Sequence, residues 1–475
     1  MKKTPAFRSF LTLLLISIFY AHAYTQSEPA KEATPTPTPA MVTGKAPVII
    51  IPGITGSNLV NERTNKTVWF SPRRAKDDDI RLPISANIAA NRDGLVARDI
   101  IRGVKISRIL PEIEIYEKAI QALEKNGGYR EVKWDEVKTG DDQDTFFVFA
   151  YDWRRDNVEN ARLLISKIES VKKSLNKPDL KFNIVSHSMG GLISRYAAMY
   201  GDADIPSGTP RPTWAGAKHI DKVFLVGTPN EGSIQALEAL QNGLSYLRSG
   251  INLPFIRDIT VFDVFTIPSI YQLLPQEDSL TAFNEDLKPV KLDLYNPATW
   301  DEYDWSVWKH KNYEKRLDEK ERKQAIPYFR AVLRRAKDFH TAINARTRGT
   351  VPVSFYLMGS DCKETQNAIV LYRDEKNDRW VTLFKPTSFT RSDGTKVTAA
   401  ELKPLMLDMG DGVVPQRSLV SETFTKRAGE AVIPIVSELK QCESHSRLLS
   451  SIEIQDKLLD ILRTAAVNAA ISGTN

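Results

Sequence analysis

The stretch Lys181-Phe182-Asn183-Ile184-Val185-Ser186-His187-Ser188-Met189-Gly190-Gly191 constrains this chain more than any other. Its apolar run reads as a buried strand. It passes without a loop into Leu192-Ile193-Ser194-Arg195-Tyr196-Ala197-Ala198, which has helical spacing. A strand, a tight turn and a helix with serine at the apex is the geometry of a nucleophile elbow. Such a turn needs small residues two before and two after the serine, and Ser186 and Gly190 meet that need. Glycine is the usual residue at the first of these places, so Ser186 is a mild departure. The elbow holds the Ser188 hydroxyl clear of the sheet. The Met189 amide then opens the following helix, where partial positive charge favours a developing oxyanion. His187 is not the expected base, because neighbours on a tight turn point apart. A five-residue pattern recurs by chance in α/β proteins. The agreement of strand, helix and Gly191 is what gives this one weight.

At 475 residues the chain is too long for one simple core, so a main domain with an insertion is expected. Residues 1–23 read as a secretory signal of bacterial type: Lys2, Lys3 and Arg8 form a basic head, residues 10–20 are apolar, and Ala21-His22-Ala23 fits a cleavage site. The apolar run is too short to span a bilayer. Export to a secreted or periplasmic location follows as an expectation, and no cysteine near the cleavage point suggests a lipid anchor. Without the three basic leader residues the formal charge falls from +6 to +3, which argues against nucleic acid as a partner. Two cysteines occur, Cys362 and Cys442; in an oxidising compartment they form one disulfide or remain two buried thiols. No Cys/His spacing suggests a metal, and no cofactor motif or protein-partner signal stands out.

Residues 24–45 are rich in Pro, Thr, Ala and Glu and read as a linker. Residues 46–51 form a β-branched run typical of a strand buried on both faces. The loop Pro52-Gly53-Ile54-Thr55-Gly56-Ser57 follows, and such a loop turns a backbone amide toward a site. Ile54 is the expected donor, paired with Met189 in an oxyanion hole. Residues 58–80 are irregular and polar, and an exposed Trp69-Phe70 pair there suggests a flap or lipid contact. Helical spacing covers 113–125 and 158–173, and strands are expected at 146–150 and 223–227. This alternation predicts a parallel sheet with helices on both faces. It fails over 234–346, where Trp300, Tyr303, Trp305, Trp308 and Tyr313 crowd a charged helical stretch read as an inserted cap. The sheet is expected to resume at 351–357. A surface hairpin is expected at 368–384, a last strand at 431–436 and a closing helix at 452–466.

A serine hydroxyl needs a base, and histidine titrates nearest the working pH. With a serine elbow the chain order is serine, acid, histidine. His22 leaves with the leader, His187 fails on geometry, and His219, His310 and His340 precede the resumed sheet. His445 remains, in a loop between the last strand and the last helix. Asp411, in Gly410-Asp411-Gly412-Val413-Val414, is the favoured acid because flanking glycines permit a tight turn; Asp361 and Asp408 are rivals.

At this point the chain resembles the lecithin:cholesterol acyltransferase family and its bacterial lipase-like relatives. The matching stretches are Pro52-Gly53 through Ser57, Tyr151-Asp152-Trp153-Arg154, the elbow, and Gly227-Thr228-Pro229 through Ser233. Pro268-Ser269 through Pro275, the Gly410-Asp411-Gly412 turn and His445 continue the resemblance, which spans about 47–449. It implies an α/β-hydrolase fold with a helical cap and a flap loop, in which core segments 46–233 and 347–475 flank the cap 234–346. It implies Ser188, Asp411 and His445 as catalytic triad, with Ile54 and Met189 as oxyanion donors. By the same analogy Trp69, Phe70, Asp152 and Trp153 lie along the substrate path. Cys362 and Cys442 would fasten the strand before the acid to the loop holding His445. No cysteine pair brackets the Trp69 loop, unlike in the animal enzymes. The expected activity is a serine esterase or O-acyltransferase acting on lipid acyl esters, at a membrane or lipid interface. A serine peptidase on the same scaffold is a second reading, and a binding protein that kept the fold without catalysis is a third.

Overall fold

The computed structural model describes residues 44–464 apart from 72–78, 105–112, 115, 245–258, 277–278, 348, 422–423 and 425–432. The expected leader and nearly all of the expected linker lie outside the described residues, as do parts of the expected flap and cap. The central sheet takes its strands from across the whole described chain. They are β1 (Val48–Ile51), β2 (Arg130–Glu131), β3 (Thr145–Val148), β4 (Phe182–His187), β5 (Ile220–Val226), β6 (Ser354–Gly359) and β7 (Ile435–Lys440). Their order is β7-β6-β5-β4-β1-β3-β2, and every neighbouring pair is parallel. The chain order reverses beside β1, so the crevice above β1 and β4 is where an open parallel sheet places its ligand.

Alternation along these strands builds two separate cores. Ile49, Ile51, Ile184, Val223, Leu225, Phe355 and Leu357 face one side with the helices α1 (Asn157–Ser174) and α2 (Met189–Tyr200). Val48, Ile50, Val185, Phe224, Val226, Tyr356 and Met358 face the other. There they meet Ile120 and Leu123, and the closing helix, whose Ile454, Leu458 and Leu459 point inward. Strands with both faces covered carry apolar side chains on both, which is why β1 reads as a continuous run and β4 carries Phe182, Ile184 and Val185.

The last strand, expected at 431–436, lies at Ile435–Lys440, where the chain pairs parallel with β6, and residues 431–432 of that expectation lie outside the described residues. Three further stretches depart from the sequence reading. Residues 113–125 are helical only from Glu117 onward, because Ile113–Glu114 pairs antiparallel with Gly103–Val104. Strand β6 lies at Ser354–Gly359, three residues beyond the expected start. The expected flap is a small sheet in its described part: Ser57–Asn61 pairs antiparallel with both Thr67–Trp69 and Leu95–Ile100. Trp69 is therefore not exposed; it is buried edge-on against Trp153, with ring centroids 5.5 Å apart.

The cap aromatics are satisfied rather than exposed. Trp300 and Trp305 are buried, and their indole N–H groups donate to Leu294 O and Thr382 Oγ1. Trp308 donates to the Asp301 carboxylate. They gather around Phe329 of the long helix α3 (Glu319–Ile343), which starts with an Asp318–Glu321 capping box. The expected surface hairpin also joins the cap. Ala368–Asp374 pairs with Arg379–Leu383 on one side and with Thr281–Phe283 on the other, so a segment beyond β6 returns to complete it.

Arg154, fully buried, ties the loop after β3 to the segment that joins Thr67–Trp69 to Leu95–Ile100 in the small sheet. Its guanidinium forks onto Asp93 at 2.6 and 2.9 Å and onto Asp152 at 2.8 and 2.9 Å, and it reaches Ile80 O. Removing one member of such a cluster strands the buried charges left behind. Arg154→Ala is expected to lower the unfolding free energy in urea by about 3–5 kcal/mol. A loss below about 1 kcal/mol would mean that Asp152 is solvated despite its burial, as the more exposed Asp93 already is.

Candidate active site

Ser188 sits at the end of β4 with φ +53° and ψ −126°, a backbone region that non-glycine residues rarely enter. Holding it there costs about 1–3 kcal/mol, which the packing around the turn must offset. That packing sets the helix backbone directly against the Pro52 carbonyl and the Thr228 side chain. A Cβ at Gly190 would stand 2.6 Å from Pro52 O, and one at Gly191 would stand 2.0 Å from Thr228 Oγ1. Ser186, the departure from glycine, is accommodated because its buried hydroxyl donates to Phe224 O on β5 at 2.7 Å.

The loops after β1, β5, β6 and β7 surround that serine. His445 Nε2 lies 2.9 Å from Ser188 Oγ, and His445 Nδ1 lies 2.7 Å from Asp411 Oδ2. The second oxygen, Asp411 Oδ1, accepts from the Val413 and Val414 amides at 2.9 and 2.7 Å, and the His445 amide donates to Asp411 O. Burial, the largest single influence, pushes the Asp411 carboxyl up. The His445 charge, its hydrogen bond and the two amides together outweigh burial and hold it below the usual carboxylate range. An ionised Asp411 fixes the proton on Nδ1, leaving Nε2 to accept from the serine hydroxyl. The two rivals are elsewhere: half-buried Asp361 lies 4.0 Å from Lys440, and exposed Asp408 accepts from the Met409 amide.

Gly227, with φ +59°, makes room for this pair. A Cβ there would stand 3.2 Å from His445 Nδ1, 3.3 Å from Asp411 Oδ2 and 2.7 Å from Leu448 Cδ1. Cys362 and Cys442 form a disulfide with Cα atoms 5.3 Å apart, which joins the loop after β6 to the loop that carries His445.

The loop Pro52–Ser57 stands against the serine, close enough that a Cβ at Gly53 would come within 2.8 Å of Ser188 Cβ. It is tied on three sides. Tyr151 Oη donates to Pro52 O at 2.8 Å, Trp69 Nε1 donates to Thr55 O at 2.9 Å, and the Gly53 amide donates to Tyr116 Oη at 2.8 Å. The Ile54 amide has no acceptor among the described residues. Met189 opens α2, so its amide is one of those left without an intrahelical acceptor.

The expected substrate residues divide. Trp69 and Trp153 are core residues, although the Trp153 indole N–H finds no acceptor among the described residues. Asp152 is occupied by Arg154, and Phe70 is half-buried against Trp69. The sequence reading missed Tyr116, which lies in a stretch taken as ordinary helix. It also assigned His187 no role beyond rejecting it as base, and His187 makes no bond to Ser188: its Nδ1 meets Tyr116 Oη and its Nε2 meets His445 O, each at 3.0 Å.

A wholly parallel sheet with the serine turn after β4, the acid after β6 and the histidine after β7 defines an α/β-hydrolase fold. The chain belongs to the lecithin:cholesterol acyltransferase family, whose profile matches residues 76–345, including the elbow. A curated Arabidopsis thaliana protein, lecithin-cholesterol acyltransferase-like 4, is 24% identical over 254 residues. That alignment takes in 48% of this chain and 42% of the plant protein, so this chain spans less than half of that relative. Among solved structures, a chain of the Tle4-Tli4 complex superposes with a TM-score of 0.54 at 15% identity, covering 88% of this chain and 98% of that one. The mature lipase BlEst2 of Bacillus licheniformis reaches a TM-score of 0.34 at 12% identity, covering 90% of this chain and 96% of that one.

Three buried histidines carry a pH signature. Burial, the largest cause each time, lowers His187 to about 3, helped by the His445 charge; it lowers His219 to about 4, helped by Lys172 and Lys218. It lowers His340 to about 4 as well, with Arg195 contributing. Unfolded, each takes up a proton near pH 6.5, so below that pH the unfolded chain binds more protons and stability falls. Unfolding free energy from urea titrations should therefore drop from about pH 6.5 to about pH 5, each histidine contributing up to about 1.4 kcal/mol per pH unit. His187→Gln should remove one proton from that slope, and an unchanged slope would place His187 in water.

Proposed function

We propose that this protein is a serine esterase or O-acyltransferase acting on lipid acyl esters. The observation that carries the reading is the unbroken chain from Ser188 Oγ through the His445 imidazole to Asp411, at 2.9 and 2.7 Å. In the proposed reaction His445 Nε2 takes the hydroxyl proton as Ser188 Oγ attacks the ester carbonyl. The negative charge that develops on the carbonyl oxygen is received by the amides of Ile54 and Met189, in a site that excludes most water. His445, held and stabilised as an imidazolium by Asp411, returns the proton to the departing alcohol. An acyl-serine remains, and water or a second alcohol, deprotonated by His445, releases the acyl group.

Membership in the family supports a lipid acyl donor. Action outside the cytoplasm is part of the proposal. The disulfide beside His445 favours an oxidising compartment, where such bonds persist. None of the described helices is long and apolar enough to cross a membrane; action at a lipid interface is part of the same proposal.

Ser188→Ala should abolish release of p-nitrophenol from a p-nitrophenyl ester and abolish labelling by a fluorophosphonate, with the fold intact by circular dichroism. Asp411→Asn should lower kcat by about 10⁴, through loss of the tautomer that leaves Nε2 free to accept. Turnover by Ser188→Ala at the wild-type rate would refute the assignment.

A further inference from the structure

Beside the Ser188–His445–Asp411 chain runs a second line of hydrogen bonds that the proposed chemistry leaves unused. It starts in the loop after β1, where the Gly53 amide donates to Tyr116 Oη at 2.8 Å. Tyr116 Oη meets His187 Nδ1 at 3.0 Å, and His187 Nε2 meets the backbone carbonyl of His445 at 3.0 Å. A carbonyl only accepts, so the His187 proton sits on Nε2. Nδ1 is then bare and accepts the phenolic proton of Tyr116, whose oxygen is left to accept from Gly53. Each donor and acceptor along the line has one assignment. Tyr116 and His187 are both buried, and the His187 ring lies 4.8 Å from the His445 ring.

We propose that Tyr116 and His187 are positioning residues that lock the oxyanion-donor loop and the His445 loop into one register around Ser188. The inference rests on the proposed serine mechanism. One end of the line is one residue from the Ile54 amide; the other is the backbone of the base itself. The two loops leave different strands and touch different sides of the serine, so nothing local keeps them in step. Transition-state stabilisation depends on donor and base being correctly placed at the same moment, and an error of about an ångström is costly. Burial keeps His187 neutral, with its pKa down at about 3, so it stays the same donor and acceptor while His445 gains and loses its proton. A protonated His187 would lose the Nδ1 lone pair and break the line at Tyr116.

Tyr116→Phe removes one oxygen from this line and leaves the ring in place. With a p-nitrophenyl ester its kcat should fall about 10-fold or more while KM stays within about twofold, the pattern of a contact expressed in the transition state. Fluorophosphonate labelling of Ser188 should slow to a similar extent. His187→Gln and His187→Leu form the second arm. The glutamine amide retains a donor for His445 O and should recover much of the rate that the leucine loses. A Tyr116→Phe protein with kcat within about twofold of wild type would overturn the proposal, as would a loss confined to KM. Equal kcat values for the His187 glutamine and leucine variants would overturn it too. If Ser188→Ala is inactive while Tyr116→Phe is unimpaired, the positioning role falls and the serine mechanism stands. If Ser188→Ala itself turns over, the mechanism falls first and the positioning role with it.

Discussion

Everything at this site depends on how closely helix α2 approaches the ends of β1 and β5. Gly190 lies where a methyl group would strike the Pro52 carbonyl, and Gly191 where it would overlap the Thr228 side chain. Because the helix comes in that near, the chain between β4 and α2 has no room for a loop. Ser188 must make the whole turn alone in a left-handed conformation. The same approach aims the first amides of α2 at the space above the serine, where charge would develop. Sterics at two glycines thus set the backbone of the proposed nucleophile and the field it would work in.

Around that fixed point the other groups are borrowed from distant parts of the chain. Asp411 and His445 stand on the loops after β6 and β7, and the donor loop follows β1. Each loop is tethered by bonds specific to it. Two backbone amides clamp the Asp411 carboxylate, the disulfide holds the strand ahead of His445, and Tyr116, Trp69 and Tyr151 grip the loop after β1. The hydrogen bonds among these tethers are buried or partly buried, where such bonds are strong and leaving one unmade is expensive. A site assembled this way resists thermal drift without any one loop being intrinsically rigid.

The parts legible in the sequence were those with a local or a topological signal. Strands β1, β4 and β5 show as apolar runs because both faces are covered, and the elbow shows because sterics restrict residue types within a few positions. His445 came out by chain order, since the histidines ahead of β6 precede the resumed sheet. What failed was set by distant partners. Trp69 read as an exposed loop residue because nothing nearby announces that 57–61 will pair with it or that Trp153 will cover it. The hairpin at 368–384 read as surface because its strand partner, Thr281–Phe283, lies more than eighty residues earlier. Tyr116 was invisible for the same reason: its hydroxyl acts on Gly53 and His187, 63 and 71 residues away.

The cap makes a related point about what the sheet leaves to its insertions. The long helix α3 is pinned to the core by Arg335, which bridges Asp156 and Asp204; its His340 Nε2 meets Gln272 O at 2.8 Å, and the Gln272 side chain in turn bonds Asp156 and the Asn157 amide. Asp156 also caps α1, the helix packed beside α2, so cap and elbow share a neighbour. Neutral His340 and charged Arg335 answer different demands. The imidazole sits where burial forbids a charge, and the guanidinium sits where two carboxylates repay its desolvation. The insertion is thus fastened beside the elbow helix by bonds of its own, while the residues that would move the proton, Ser188, His445 and Asp411, stand on loops of the sheet.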